Sequence, residues 1–311
     1  MTSSTASAPD RIRIGSAPDS WGVWFPDDPR QVPWRRFLDE VAAAGYEWIE
    51  LGPYGYLPTD PGRLAEETGS RGLSVSAGTV FTGLHHGPDV WDRTWAHVAG
   101  IAALTQAMGA AHLVVIPSFW RDDRTGEVLE ERTLTAGQWR NLTSQTERLA
   151  REVRERYGLR VVVHPHADTH IDTEENVSRF LDATDAGLVS LCLDTGHYAY
   201  CGGDSVELIE RYGERIGYLH LKQVDPEVLA EVVADEVPFG PAVARGVMCE
   251  PPGGVPALEP VLAAARRLDV DLFAIVEQDM YPCPPDRPFP IARRTRDYLR
   301  SCGTGGRPRG A

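Results

Sequence analysis

Histidines and carboxylates close four consecutive apolar runs in the second half of the chain. They are His164 in RVVVHPH, Asp194 in SLCLDTGH, His220 in IGYLHLK and Glu277 in LFAIVEQD. Two imidazoles and two carboxylates suit a divalent ion that keeps positions open for substrate oxygens. Mixed nitrogen and oxygen ligation favours Mn2+, and admits Co2+, Fe2+, Zn2+ or Mg2+. The four residues are far apart in sequence, yet each occupies the same place in a strand–turn–helix cycle. In a barrel of parallel strands such positions converge on one rim.

Other side chains near these positions could complete the chemistry. His166 follows His164 by two residues and faces the same way as long as the strand continues. One of the two is the ligand, and His164 is the preferred one. His197, in DTGH, could orient a ligand or touch substrate. Lys222, two residues past His220, could polarise a carbonyl or stabilise an oxyanion, or simply pair with an acid. Glu50, in WIELG, could bind substrate hydroxyls, fix a ligand or form a salt bridge. Trp21, Tyr54 and Phe81 each follow a strand, where aromatic faces suit the apolar faces of a sugar ring.

The elements that must position these residues can be read from the apolar pattern. Strand-like runs cover 11–18, 47–53, 73–81, 112–119, 159–166, 188–197, 215–224 and 271–279. Helices are expected over 34–44, 61–71, 91–108, 135–157, 173–184, 205–212, 226–234 and 290–301. The strands are continuous apolar runs, as expected when a parallel sheet is covered on both faces. Eight strand–helix repeats predict a single (β/α)8 barrel over 11–301. The turn after the first strand, SAPDSWGVW, has no GxGxxG, which counts against a dinucleotide-binding open sheet. PFGPAVARG and PPGG are expected to form a shaped loop above the rim. Residues 1–10 and 302–311 are expected to be a disordered lead-in and tail.

The formal charge of −14 argues against nucleic acid or an anionic membrane as a partner. No apolar run approaches the length of a transmembrane helix, and the N-terminus has no signal-peptide pattern. Five cysteines without CxxC spacing fit a reducing cytoplasm, with Cys192 in the core. The absence of an Arg/Lys cluster after strands seven and eight disfavours a phosphorylated substrate.

HPHADT, LCLDTGHYAYCGGD, RIGYLHLKQV, FGPAVARGVMCEPPGGVPALEPVL and IVEQDMYP carry a resemblance. The chain resembles the xylose-isomerase-like superfamily of metal-dependent (β/α)8 barrels, and within it the inosose dehydratase group. The likeness covers about 11–301, with its specific motifs in 160–280. It departs at Gln223, where the family's HLKD reads HLKQ, and APDSWGVW agrees only loosely. In relatives whose fifth strand ends in glutamate, two metal-bound glutamates form a proton-transfer pair. His164 takes the place of the first, which points away from two-base epimerisation.

The expected function is therefore a metal-dependent lyase that dehydrates a keto-sugar or keto-cyclitol such as an inosose. His166 or Glu277 would be the base, and Lys222 or His197 the acid. An isomerase or epimerase on the same scaffold is the alternative, and elimination from a 3-keto-glycoside is a variant. A non-catalytic sugar-binding barrel or a partner-dependent subunit is the non-enzymatic alternative. A DNA-repair endonuclease of similar fold is disfavoured by the acidic charge. The expected partner is a small polyol or keto-sugar, and a homo-oligomer is compatible with these features.

Overall fold

The computed structural model describes residues 11–305. Eight parallel strands close into a barrel. They are β1 (Ile12–Ser16), β2 (Trp48–Glu50), β3 (Ser74–Thr82), β4 (His112–Pro117), β5 (Arg160–Val163), β6 (Val189–Asp194), β7 (Ile216–Leu221) and β10 (Leu272–Val276). A short antiparallel ribbon, β8 (Gln223–Val224) with β9 (Met248–Cys249), stands beside the barrel. The expected (β/α)8 architecture is therefore the observed one.

The connecting helices are α1 (Trp34–Ala43), α2 (Pro61–Gly69), α3 (Trp91–Ala107), α4 (Ala136–Tyr157), α5 (Glu174–Asp182), α6 (Thr195–Tyr200), α7 (Ser205–Tyr212), α8 (Pro226–Ala234), α9 (Phe239–Ala244), α10 (Leu258–Arg266) and α11 (Pro288–Ser301). Many starts are written locally. Thr135 and Gln138 form a reciprocal capping box at α4, and Asp60, Thr173, Asp204 and Asp225 cap α2, α5, α7 and α8. None of the helices among the described residues is long and apolar enough to cross a membrane.

Three expectations need correction. PFGPAVARG is the helix α9 rather than a loop. Its prolines fall at the N-cap and in the first turn, where no intrahelical N–H is required. The first-turn N–H groups of Phe239 and Gly240 find the Asp168 carboxylate at 3.0 Å and the Asp123 carbonyl at 2.7 Å. LEPVLAAAR forms α10, a helix that the apolar pattern alone does not mark and that the resemblance implies. Residues 302–305 pack onto the barrel, with Thr304 buried and bonded to Leu299, so the expected tail starts too early. The expected lead-in 1–10, and the tail beyond 305, lie outside the described residues.

The barrel is filled, not hollow. Ala77, Val114, Ile116, Val162, Cys192, Tyr218, Phe273 and Ile275 form one buried cluster inside it. Tyr218 donates a 2.8 Å hydrogen bond to Ser76, which ties β7 to β3. The larger cluster lies between the strands and the helical shell.

Candidate metal centre and active site

Four members of the interior layer sit two residues before the four candidate ligands. Val162 precedes His164, Cys192 precedes Asp194, Tyr218 precedes His220, and Ile275 precedes Glu277. The strand period of two places the second set above the first at the C-terminal mouth of the barrel. Asp194 and His220 are directly paired across β6 and β7. Ligand atoms of His164, Asp194, His220 and Glu277 all lie within 4.8 Å of one another.

The hydrogen bonds around these side chains leave one ring nitrogen of each histidine turned to the centre. His164 Nδ1 donates to the Pro165 carbonyl at 2.6 Å, so its Nε2 is bare, 3.5 Å from Asp194 Oδ2. His220 Nε2 donates to Glu50 Oε1 at 2.7 Å, so its Nδ1 faces Glu277 Oε2 at 3.0 Å and Asp194 Oδ2 at 3.6 Å. Asp194 Oδ1 accepts the N–H groups of Gly196 and His197, both at 2.8 Å, and so caps α6. Asp194 Oδ2 and His220 Nδ1 are buried and accept no hydrogen bond. These two buried atoms, turned to one point, fit a cation between them. Without one, Lys222 Nζ stands 3.2 Å from Asp194 Oδ2, and the surrounding acidic groups hold His220 well above its ordinary pKa despite burial.

The motif DTGH assigns a task to each letter. Asp194 supplies the central oxygen. Thr195 Oγ1 donates to the Lys222 carbonyl at 2.6 Å and accepts the Lys222 N–H at 2.9 Å. A Cβ on Gly196 would stand 2.5 Å from Lys222 Cγ, so only glycine lets the lysine stem pass. His197 Nε2 lies 3.1 Å from Lys222 Nζ. Lys222 Nζ also lies 3.2 Å from Asp194, 3.1 Å from Glu277 and 2.8 Å from Asp279. Burial alone would drive its proton off, but these carboxylates outweigh that and hold the ammonium well above its ordinary pKa.

His166 is not in the four-donor group. The strand ends at Val163, and the turn through Pro165 carries His166 to the side, 3.6 Å ring to ring from His197. Its Nδ1 donates to the Ala167 carbonyl at 2.8 Å. Burial, with His164 and Lys222 adding to it, lowers its pKa to about 3 and keeps the imidazole neutral. Phe119 and Phe239 stand edge-on to its ring.

The remaining expected contacts divide. Glu50 is buried and held between His220 and Thr79, where it orients one of the four candidate donors. Trp21 is a core residue: it is fully buried, packs edge-on to Phe37 and donates to Glu40. Tyr54 stands beside Gly100 on the α3 shell rather than over the mouth. Phe81 is half exposed and lies 5.5 Å from Phe119, which joins it to the His166 wall.

Sequence reasoning missed Asp19 and Asp279. Burial and the Glu277 charge raise the Asp19 carboxyl well above its ordinary range, and burial also raises Asp279 despite Lys222 beside it. Asp19 follows β1 in a loosely matching segment, and Asp279 follows Glu277 by two residues, the spacing that could have revealed it. The aromatic stack of Trp24 on Tyr281 and Phe239 also escaped notice. Burial raises the Cys192 thiol to about 12, which leaves it unreactive. A cavity lined by His112, Arg160 and Asp271 opens at the opposite, N-terminal face, far from the four donors.

Residues 38–302 match the family described as xylose isomerase-like TIM barrel. The chain is 31% identical over 299 residues to an inosose dehydratase of Geobacillus kaustophilus, covering 93% of this chain and 94% of that one. The IOLI protein with a binding zinc atom shares the fold with a TM-score of 0.67 at 15% identity, covering 93% of this chain and 98% of that chain. The probable 3-DHS dehydratase AsbF of Bacillus anthracis shares it with a TM-score of 0.68 at 14% identity, again over 93% and 98%. The chain belongs to the xylose isomerase-like TIM barrel family, and within it groups with proteins named inosose dehydratase.

Proposed function

We propose that the rim centre dehydrates a keto-cyclitol of the inosose class, acting as a carbon–oxygen lyase. The observation that carries this reading is the 31% identity to an inosose dehydratase along nearly the whole of both chains. The residue at the end of β5 supports it. With His164 there, Glu277 has no second glutamate opposite it for a symmetric proton exchange.

The donor set fits a divalent ion, held by His164, Asp194, His220 and Glu277. Such an ion would supply Lewis-acid polarisation of the substrate ketone. The chain's own groups do the proton work. His166 is the candidate base: its Nδ1 is tied to the Ala167 carbonyl, which leaves the Nε2 lone pair free. It takes the proton from the carbon beside the ketone. Lys222 is the candidate acid, since its surrounding carboxylates keep it charged. It gives a proton to the departing β-hydroxyl, which leaves as water, and His197 and Asp279 hold its Nζ in place. Phe81, Phe119 and Phe239 offer apolar faces to the ring carbons. Manganese is the preferred ion for this set of oxygen and imidazole donors. Five unpaired cysteines fit a reducing cytoplasm.

The test is elimination from 2-keto-myo-inositol by chelator-stripped protein before and after metal is restored. Enone absorbance should grow only in the restored sample. No absorbance with any divalent ion would contradict the assignment.

A further inference from the structure

A second group of metal-type side chains lies outside the set used above and joins three rim segments. His85 follows β3, Glu130 lies between β4 and α4, and His170 lies between β5 and α5. One ligand atom from each lies within 4.8 Å of the others. His85 Nε2 is 2.8 Å from Glu130 Oε2, and His170 Nε2 is 3.1 Å from Oε1 of the same carboxylate. Both imidazoles have 0% exposed side chains, and the two rings stand 4.6 Å apart.

With both rings neutral, the hydrogen bonds here do not close without a cation. His170 Nδ1 lies 3.0 Å from the Arg132 carbonyl, which can only accept, so Nδ1 carries the proton. In a neutral ring its Nε2 is then a bare lone pair aimed at a carboxylate oxygen. Two acceptors in that position repel each other. His85 has the matching defect, because its Nδ1 is buried and has no hydrogen-bond partner. If Nε2 holds the proton, Nδ1 is an orphaned acceptor. If Nδ1 holds it, Nε2 is a second lone pair facing Glu130. Charging His170 alone would give Glu130 one buried ion pair and still leave His85 Nδ1 without a partner, and charging both rings would leave two buried imidazolium ions sharing one carboxylate. A divalent ion among the three would take the Nε2 lone pairs of both rings and the carboxylate together, with a proton on each Nδ1; that of His85 still has no partner. The Nδ1–H to carbonyl bond of His170 is also the usual brace of a metal-binding histidine.

We propose that His85, Glu130 and His170 bind a second divalent ion of the zinc type. Two buried imidazoles and a carboxylate are a zinc donor set. His86, half exposed and with Nε2 3.8 Å from Glu130 Oε2, is placed to complete a closed four-ligand site. A closed site is structural rather than catalytic. It would pin the segments after β3, β4 and β5 to one another. The last of these carries His166, whose carbonyl accepts from both the N–H and the hydroxyl of Thr169, next to His170. The second ion therefore sets the rim loop that carries the candidate base.

Metal stoichiometry of the whole chain tests this. Chelator-stripped protein is reloaded with Zn2+, freed of excess and analysed for bound zinc. Wild type should hold two ions per chain. Glu130→Gln, which preserves side-chain shape, and His170→Ala should each hold one, and His220→Ala should also hold one. Far-UV circular dichroism confirms that each variant is folded, and Glu130→Gln alone suffices if His170→Ala is not. A wild type with one ion, lost in His220→Ala and kept in Glu130→Gln, would overturn the second site while leaving the barrel centre intact. One ion lost in Glu130→Gln and kept in His220→Ala would support the second site and count against the barrel centre.

Discussion

Glu50 Oε1 accepts the Nε2 proton of His220 at 2.7 Å, across the barrel mouth from β2 to β7. The bond decides which nitrogen of His220 is bare, and the bare one faces Asp194 and Glu277. Thr79 holds the other Glu50 oxygen at 2.8 Å, so the carboxylate cannot turn away. Glu50→Gln should weaken metal binding by about 10–100-fold, because the ring loses its charged orienting partner. Competition with a chelating dye would measure this. Unchanged affinity would mean that Glu50 serves packing alone.

Lys222 touches three acidic side chains of the centre, Asp194, Glu277 and Asp279. Lys222→Met should lower kcat by about 10²–10⁴, the range for a lost proton-transfer group, with metal still bound. The same change leaves buried carboxylates uncompensated, so the metal-free variant should melt below the metal-free parent. Steady-state kinetics beside thermal melts in chelator would separate the two effects.

Gln223, where the resembled family has an acid, has a structural task. Its amide donates to the Gly254 carbonyl at 2.9 Å and to the Pro256 carbonyl at 2.7 Å, and its oxygen accepts from Gly254 N–H at 3.2 Å. A carboxylate cannot donate, so Gln223→Glu would set acceptors against two carbonyls. The expected cost is about 1–3 kcal/mol of stability, read by urea denaturation, with metal content unchanged.

His112 governs an acid-side loss of stability. Burial, with Arg160 beside it, lowers its pKa from 6.5 to about 4. The unfolded chain binds that proton first, so the stabilising contribution is complete above pH 6.5 and is lost as pH falls towards 4. The largest loss from this one group is about 3 kcal/mol. Urea midpoints for wild type should drop across that interval, and His112→Gln should flatten the drop. Parallel curves for the two proteins would place the acid sensitivity elsewhere.

The barrel and its four donors were legible because each donor ends an apolar strand, so strand period and topology together determine the side-chain direction. What the sequence hid depends on turns. His166 could not be placed beside His197 without knowing that β5 stops at Val163. Trp21 follows a strand as a rim aromatic would, but a 3-10 turn over Pro18–Trp21 directs it into the core. Helix α9 reads as a loop because its prolines are harmless only at the N-terminal positions they occupy. Glu50 was visible as a polar residue at a strand end. Its partner, 170 residues away, was not.

Proton and water bookkeeping on one substrate tests the central claim most directly. Metal-loaded protein is mixed with 2-keto-myo-inositol in deuterium oxide, and the product is followed by proton NMR. The predicted result is loss of the β-hydroxyl with formation of the conjugated alkene, abolished in Lys222→Met. Deuterium entering at the carbon beside the ketone, with every hydroxyl retained, would contradict dehydration and identify an isomerase or epimerase.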